Sequence, residues 1–306
     1  MDNNYFSKIR ILDGGMGQTL LEKGLKAKGS LWSATALIEK KYHQLVIDTH
    51  LDFINSGSDV IVTNNFSARR TRTIQNNVDN HFNYANEKAG ELALKAKEIS
   101  KKNILVAGSL PAQNNTYVPD ERDESLIIKD FSDQANLLKP FIDFFYLDVL
   151  SSIKEVEIGL NVAEKINLPV LVGLHIRNNG KLSSGETITK VFNKCKSKKW
   201  LGLIIACSSP EIIESTTDEI KDLKIPFGFK ANLWRKEPLP VGKIVKIAKD
   251  GFGQNPVDVL GSRKNITGEK FYDFSKKMVN KGATILGGCC EIKPSHIKAI
   301  SKLKQI

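Results

Sequence analysis

With only four cysteines in 306 residues, the chain cannot carry the disulfide framework of a small secreted domain. It also has no uninterrupted apolar stretch long enough to cross a bilayer. No charged-then-apolar leader opens it, because "MDNNYFSKIRILDGG" reaches Asp13 and two glycines after a short apolar run. A cytoplasmic location with no membrane partner is the expectation. Low-complexity linkers and short-period repeats are missing too, so one domain spanning 1–306 is expected. Aromatics are sparse at 8%, and no basic block is interleaved with them. The net charge of +11 therefore reads as a solvated lysine-rich surface, spread over "EKAGELALKAKEISKK", "KIVKIAKD" and "HIKAISKLKQ", and not as a nucleic-acid module.

The sequence does contain a regular alternation of short apolar runs and helical periodicity. The runs are "IRILD", "DVIVTNN", "NILVAGS", "DFFYLDV", "LPVLVGLH", "LGLIIAC", "IPFGFKAN" and "ATILGG". Amphipathic segments such as "NHFNYANEKAGELALKAKEISKK" and "SSIKEVEIGLNVAEKIN" separate them, and "KPSHIKAISKLKQ" closes the chain. One longer irregular segment, containing Gly251, Gly253 and Pro256, precedes the last strand. Strands that are apolar on both faces belong to a covered parallel sheet. Eight of them alternating with helices predict an α/β fold, a (β/α)8 TIM barrel.

In such a barrel the chemistry sits at the C-terminal strand ends. Those ends carry Asp13, Gly14 and Gly15, then Thr63, Asn64 and Asn65, then Ser109, Asp148 and His175, then Cys207, Asn232, and the doublet Cys289–Cys290. Three of the four cysteines thus fall on one rim. Zinc favours thiolate sulfur in tetrahedral geometry, and its catalytic sites leave one position open. Gly287 and Gly288 are expected to relax the backbone so that both sulfurs of the doublet reach one ion. Taken alone, Cys207 would be a small buried hydrophobe, and Cys195 in "VFNKCKSK" keeps that reading. A strained vicinal disulfide remains an alternative for the doublet.

Along nearly its whole length the chain resembles the homocysteine S-methyltransferase family. The likeness is carried by "ILDGGMGQTLLEKG", "LWSATALIEK", "HLDFINSGSDVIVTNNFSA", "VAGSLPA", "DFFYLDV", "SSGETI", the cysteine after the sixth strand, "ANLW" and "GGCCEIKPSHI". The resemblance implies a (β/α)8 barrel with zinc held by Cys207, Cys289 and Cys290. It implies homocysteine as acceptor, with Asp13 and Asp148 taking its ammonium. The backbone from Gly14 through Gly15 to Met16 and the Thr63 hydroxyl would take its carboxylate. For a cationic methyl donor it implies aromatic faces at Trp32 and Phe66, held by cation–π attraction, with Trp200 and Trp234 as alternatives.

Three positions depart from the family pattern. Ala206 stands where an asparagine usually precedes the first zinc cysteine, and Asp148 replaces a common glutamate. Ser67 stands where the betaine enzyme has a tyrosine. His175 reads as a polar rim residue and His296 as a helix-start cap. The expected reaction moves a methyl group to homocysteine from S-methylmethionine, dimethylsulfoniopropionate, betaine or S-adenosylmethionine. Another thiol or selenol acceptor, or a non-catalytic zinc- or ligand-binding barrel, is the alternative. A monomer or small homo-oligomer is expected.

Overall fold

The structure, a computed structural model, describes residues 4–196, 198–237 and 255–305. Gly251, Gly253 and the lysines of "KIVKIAKD" lie outside the described residues.

Eight parallel strands form one sheet: β1 Arg10–Ile11, β2 Val60–Val62, β3 Leu105–Pro111, β4 Phe144–Leu150, β5 Val170–Leu174, β6 Trp200–Ala206, β7 Phe227–Ala231 and β8 Ile285–Gly288. Their order is β1-β8-β7-β6-β5-β4-β3-β2. A parallel bridge between Leu12 and Val60 joins the two ends, and Asp13 N donates to Val60 O at 3.0 Å. The sheet is therefore a (β/α)8 barrel, as the alternation of apolar runs and helices predicts.

Side-chain parity along the strands sorts the core into two layers. Ile11, Ile61, Val106, Phe145, Leu147, Val172, Phe229 and Leu286 pack outward in the cluster shared with the helices. Their alternates Leu12, Val60, Val62, Ala107, Phe144, Tyr146, Leu171 and Ile285 fill a separate interior cluster. Phe6 belongs to that interior group and meets the Phe144 ring edge-on at 5.8 Å between centroids, which plugs the N-terminal end of the barrel. The same interior cluster runs up to Cys207 and Cys290 at the opposite end.

The long helices follow the amphipathic segments: His43–Asn55, Phe82–Ser100, Glu124–Leu138, Ile153–Ile166, Pro210–Lys221 and Gly268–Asn280. Side chains cap several of them, among them Asp123, Ser152, Ser209 and Thr267. The sequence reading passes over four shorter helices, Met16–Glu22, Thr35–Ile38, Arg70–Gln75 and Pro256–Leu260. Three of these contribute residues to the cavity described next. They are too short to display a helical period.

Candidate active site

A cavity opens at the C-terminal mouth of the barrel, and the sulfurs of Cys207, Cys289 and Cys290 stand in its wall. The Cys207–Cys290 and Cys289–Cys290 sulfur distances are both 3.9 Å, and all three atoms lie within 4.8 Å of one another. A tetrahedral ion with zinc–sulfur bonds of about 2.3 Å needs sulfurs about 3.8 Å apart. The donor set is soft, convergent and spaced for such an ion. Burial and crowding make the thiols titrate as a unit. S–H donation from Cys289 and Cys290 holds Cys207 well below the ordinary thiol range, and bonding to Cys207 pushes the other two up.

The cysteines converge although β6 and β8 flank β7 and their backbones stand roughly 10 Å apart. Cys207 covers part of this gap with a left-handed backbone, φ 52°. Asn232, at the end of β7, anchors the turn by donating to Cys207 O, and its amide nitrogen lies 3.8 Å from the Cys207 sulfur. The Tyr117 hydroxyl lies 3.3 Å from the same sulfur. These groups surround the cysteine that lacks the expected preceding asparagine. Ala206 is fully buried, and its carbonyl accepts from His175 Nδ1 at 3.3 Å.

The glycines before the doublet act differently from expectation. Neither Gly287 nor Gly288 has a positive φ; that conformation falls on Glu291, φ 67°. What Gly288 supplies is room, since a Cβ there would sit 2.1 Å from Ile292 Cγ2. Gly15 does the same from the opposite loop, where a Cβ would come within 2.6 Å of Cys289 O. The two loops can therefore close on each other at the thiol side of the cavity.

Asp13, Gly14, Gly15, Met16, Thr63 and Asp148 all line this cavity. Asp148 is buried, accepts from the Ser109 hydroxyl at 2.9 Å, and has its carboxyl pushed up to about 6 by burial. Asp13 has a partner the sequence reading missed. Its Oδ1 accepts from Lys230 Nζ at 2.5 Å and its Oδ2 from Val62 N at 2.8 Å. Lys230 belongs to β7, on the parity opposite to outward-packing Phe229. As a charge inside the apolar run "FGFKAN" it left a signal that parity could have found. Thr63 is also spoken for: its hydroxyl donates to Asn65 Oδ1 at 2.6 Å and accepts from Ser109 N at 2.9 Å. No proton remains on that oxygen for a carboxylate. Gly15 N donates to Ile292 O and Met16 N to Gly14 O, so these two backbone donors are likewise engaged.

Trp32, Phe66, Ser67 and Trp234 line the cavity as well. Trp32 has φ 48° and ψ −123°, a conformation that is costly for a bulky residue. Its indole lies against Gly17, where a Cβ would clash at 2.7 Å. Phe66 already faces a cation, the Arg69 guanidinium 5.2 Å from its ring centre. Trp200 is elsewhere, packing edge-on against Phe192 in the β6 entry. Cys195 is buried in the helical layer. His296 accepts from Lys293 N at 3.0 Å as a helix-start cap. Tyr117, with φ 71°, packs its ring against His175 at 4.7 Å between centroids and a tilt of 57°, and comes from a loop with no sequence signal. Strained residues gather here, since Trp32, Tyr117, Val149 and Cys207 all have positive φ and all line the cavity.

Known proteins share this frame. S-methylmethionine–homocysteine S-methyltransferase BHMT2 of Pongo abelii is 26% identical over 302 residues, covering 96% of this chain and 78% of the relative. Homocysteine S-methyltransferase 3 of Arabidopsis thaliana is 24% identical over 332 residues, covering 96% and 89%. The metallated form of the homocysteine methyltransferase MmuM from Escherichia coli superposes with a TM-score of 0.76 at 20% identity, over 97% of this chain and 96% of that one, which shows a common fold. The family model described as homocysteine S-methyltransferase matches residues 10–303. By that match, which runs from β1 to the last turn, the chain belongs to the homocysteine S-methyltransferase family.

Proposed function

We propose that this protein is a zinc-dependent methyltransferase that moves a methyl group from a small onium donor to homocysteine, forming methionine. The observation that carries the reading is the trio of sulfurs spaced for a tetrahedral ion in the wall of a cavity that also holds buried acids. Cys207, Cys289 and Cys290 would hold the zinc. Bound there, zinc supplies a Lewis-acidic centre that lowers the pKa of an acceptor thiol from the ordinary value near 8.5 toward neutrality.

The remaining work falls to the chain. Asp148 takes the acceptor's ammonium, which returns the carboxylate to its charged form against the cost of burial. Asp13 acts beside it while holding Lys230. Two of the three Lys230 N–H groups go to Asp13 O and Oδ1, and the third is available to the acceptor's carboxylate at the Gly14–Gly15 loop. Trp32 and Trp234 offer ring faces to the positive methyl donor, worth about 0.5 to 2 kcal/mol per ring. As the acceptor's S–CH3 bond forms, the methyl's bond to the donor sulfur or nitrogen breaks. That electron pair stays on the leaving atom, which departs neutral, and the thiol proton passes to solvent.

The test is methionine formation from homocysteine with S-methylmethionine, dimethylsulfoniopropionate, betaine and S-adenosylmethionine, before and after chelation, alongside metal analysis of Cys207→Ser. Zinc near one per chain, lost in the folded variant together with activity, is expected. Full turnover by demetallated protein, or no turnover with any donor, would reject the reading.

A further inference from the structure

The wall of the cavity carries a charge that the acceptor chemistry leaves unused. Arg72 lines the cavity and is only 4% exposed. Among the described residues its guanidinium makes one hydrogen bond, Nη1 to Ser30 O at 2.7 Å, and no ion pair. Arg69 beside it is fully buried, donates from Nη1 to Ala112 O and from Nη2 to the Thr116 hydroxyl, leaves Nε without a partner among the described residues, and also has no carboxylate partner there. The contrast with their neighbours is sharp. Arg70 meets Asp130 and Asp133, and Arg122 meets Asp120 and Asp130.

A buried charge is expensive unless it is paired, and here two guanidinium groups repel each other as well. Burial lowers Arg72 to about 10; burial, then the charge of Arg72, lowers Arg69. With no carboxylate partner among the described residues, such an arrangement suits an anion brought by a ligand. The position indicates which ligand brings it. Arg72 is tied to the segment that carries Trp32, because Ser30 O accepts from Arg72 while Asn76 Nδ2 donates to Ser30 Oγ at 2.8 Å and Asn76 Oδ1 accepts from Ser30 N at 3.1 Å. The acceptor end has its own cation in Lys230. An onium centre approaching Trp32 without an anion of its own would also meet an uncompensated positive charge at Arg72.

We propose that Arg72 is the seat for the carboxylate of the methyl donor, so that the enzyme selects onium acids, in which a carboxylate and a methylated sulfonium or ammonium share one small molecule. The assignment rests on the methyltransferase reading for the identity of the ligand. The seat itself follows from a guanidinium in the cavity wall that has no ion pair among the described residues.

Calorimetric binding, with no methyl transfer required, tests it. The probes are dimethylsulfoniopropionate and ethyldimethylsulfonium, which share a sulfonium and its ethyl chain and differ in the carboxylate. A second pair, homocysteine and 3-mercaptopropylamine, asks the same of the acceptor. Wild-type protein should favour dimethylsulfoniopropionate by roughly 10- to 100-fold, the range for a charge-assisted hydrogen bond. Arg72→Met should abolish that preference and leave the preference for homocysteine intact, and Arg72→Lys, which keeps the charge but loses the fork, should retain part of it.

The proposal is overturned if wild type shows no preference, if the preference survives in Arg72→Met, or if the loss falls on the homocysteine pair. If Arg72→Met does not fold, Arg72→Lys decides by the same ratio. Binding that depends on Arg72 without methionine formation would sink the transferase reading and leave the carboxylate seat standing.

Discussion

Asp148 shows how a single side chain acquires its role from its surroundings. It lies on the parity of Tyr146 and Phe144 in β4, pointing away from the helices, and the Ser109 hydroxyl from β3 holds one of its oxygens at 2.9 Å. Buried among apolar walls, its carboxyl sits near 6, so an incoming ammonium gains more here than at the surface. Asp148→Asn keeps the shape and the Ser109 contact while removing the charge. It should raise the KM for homocysteine about tenfold or more, with zinc content unchanged by metal analysis. Unchanged KM would assign the ammonium to Asp13 alone. The cysteines and Asp148 were legible because they end strands. Lys230, Arg72 and Tyr117 were not read as site residues, because their positions in the cavity arise from long-range packing and not from their neighbours in the chain.

The loops between elements close the site. Gly288 ends β8 and lies directly under Ile292, so the hairpin-like passage through Cys289 and Cys290 exists only because no side chain stands there. The atoms in the way include Ile292 Cγ2 at 2.1 Å and its Cβ at 2.3 Å, and a rotamer change does not clear the Cβ. Gly288→Ala should therefore cost about 1 to 3 kcal/mol as overpacking, read as a lower thermal midpoint. It should also lower zinc occupancy, as the doublet is pushed from its place. An unaltered midpoint and full zinc would refute this account. The short helix Met16–Glu22 similarly begins where the glycine loop meets Cys289, and Gly17 within it makes space for Trp32. These elements went unread from sequence because close approach, and not periodicity, dictates them.

Across the whole molecule, the balance of buried charge makes stability depend on pH. Glu155 is fully buried under the loop after β4, and burial raises its carboxyl from 4.5 to about 7, against the hydrogen bonds from Ser152 and Ser151. Its folded pKa lies above the unfolded one, so between those values the folded state binds more protons, and stability falls as pH rises through that window. The loss from this group is on the order of 3 kcal/mol. Glu155→Gln should remove it, so that urea midpoints measured at about pH 5 and about pH 8 draw closer together than in wild type. An equal slope in both proteins would show that Glu155 keeps its charge when folded.

The sequence by itself determined the barrel class, because runs apolar on both faces belong to a parallel sheet covered by helices, and eight of them alternating with helices match the count of a (β/α)8 barrel. It also determined which side chains stand at the strand ends, and hence the three thiols and the acids of the mouth. Only the tertiary structure decided how these groups meet. The Asp13–Lys230 pair joins residues 217 positions apart, the Thr63 hydroxyl is consumed by Asn65 and Ser109, and Arg72 is left without a carboxylate among the described residues. Burial and pairing are set by the packing of distant segments, and no local pattern of residues encodes them.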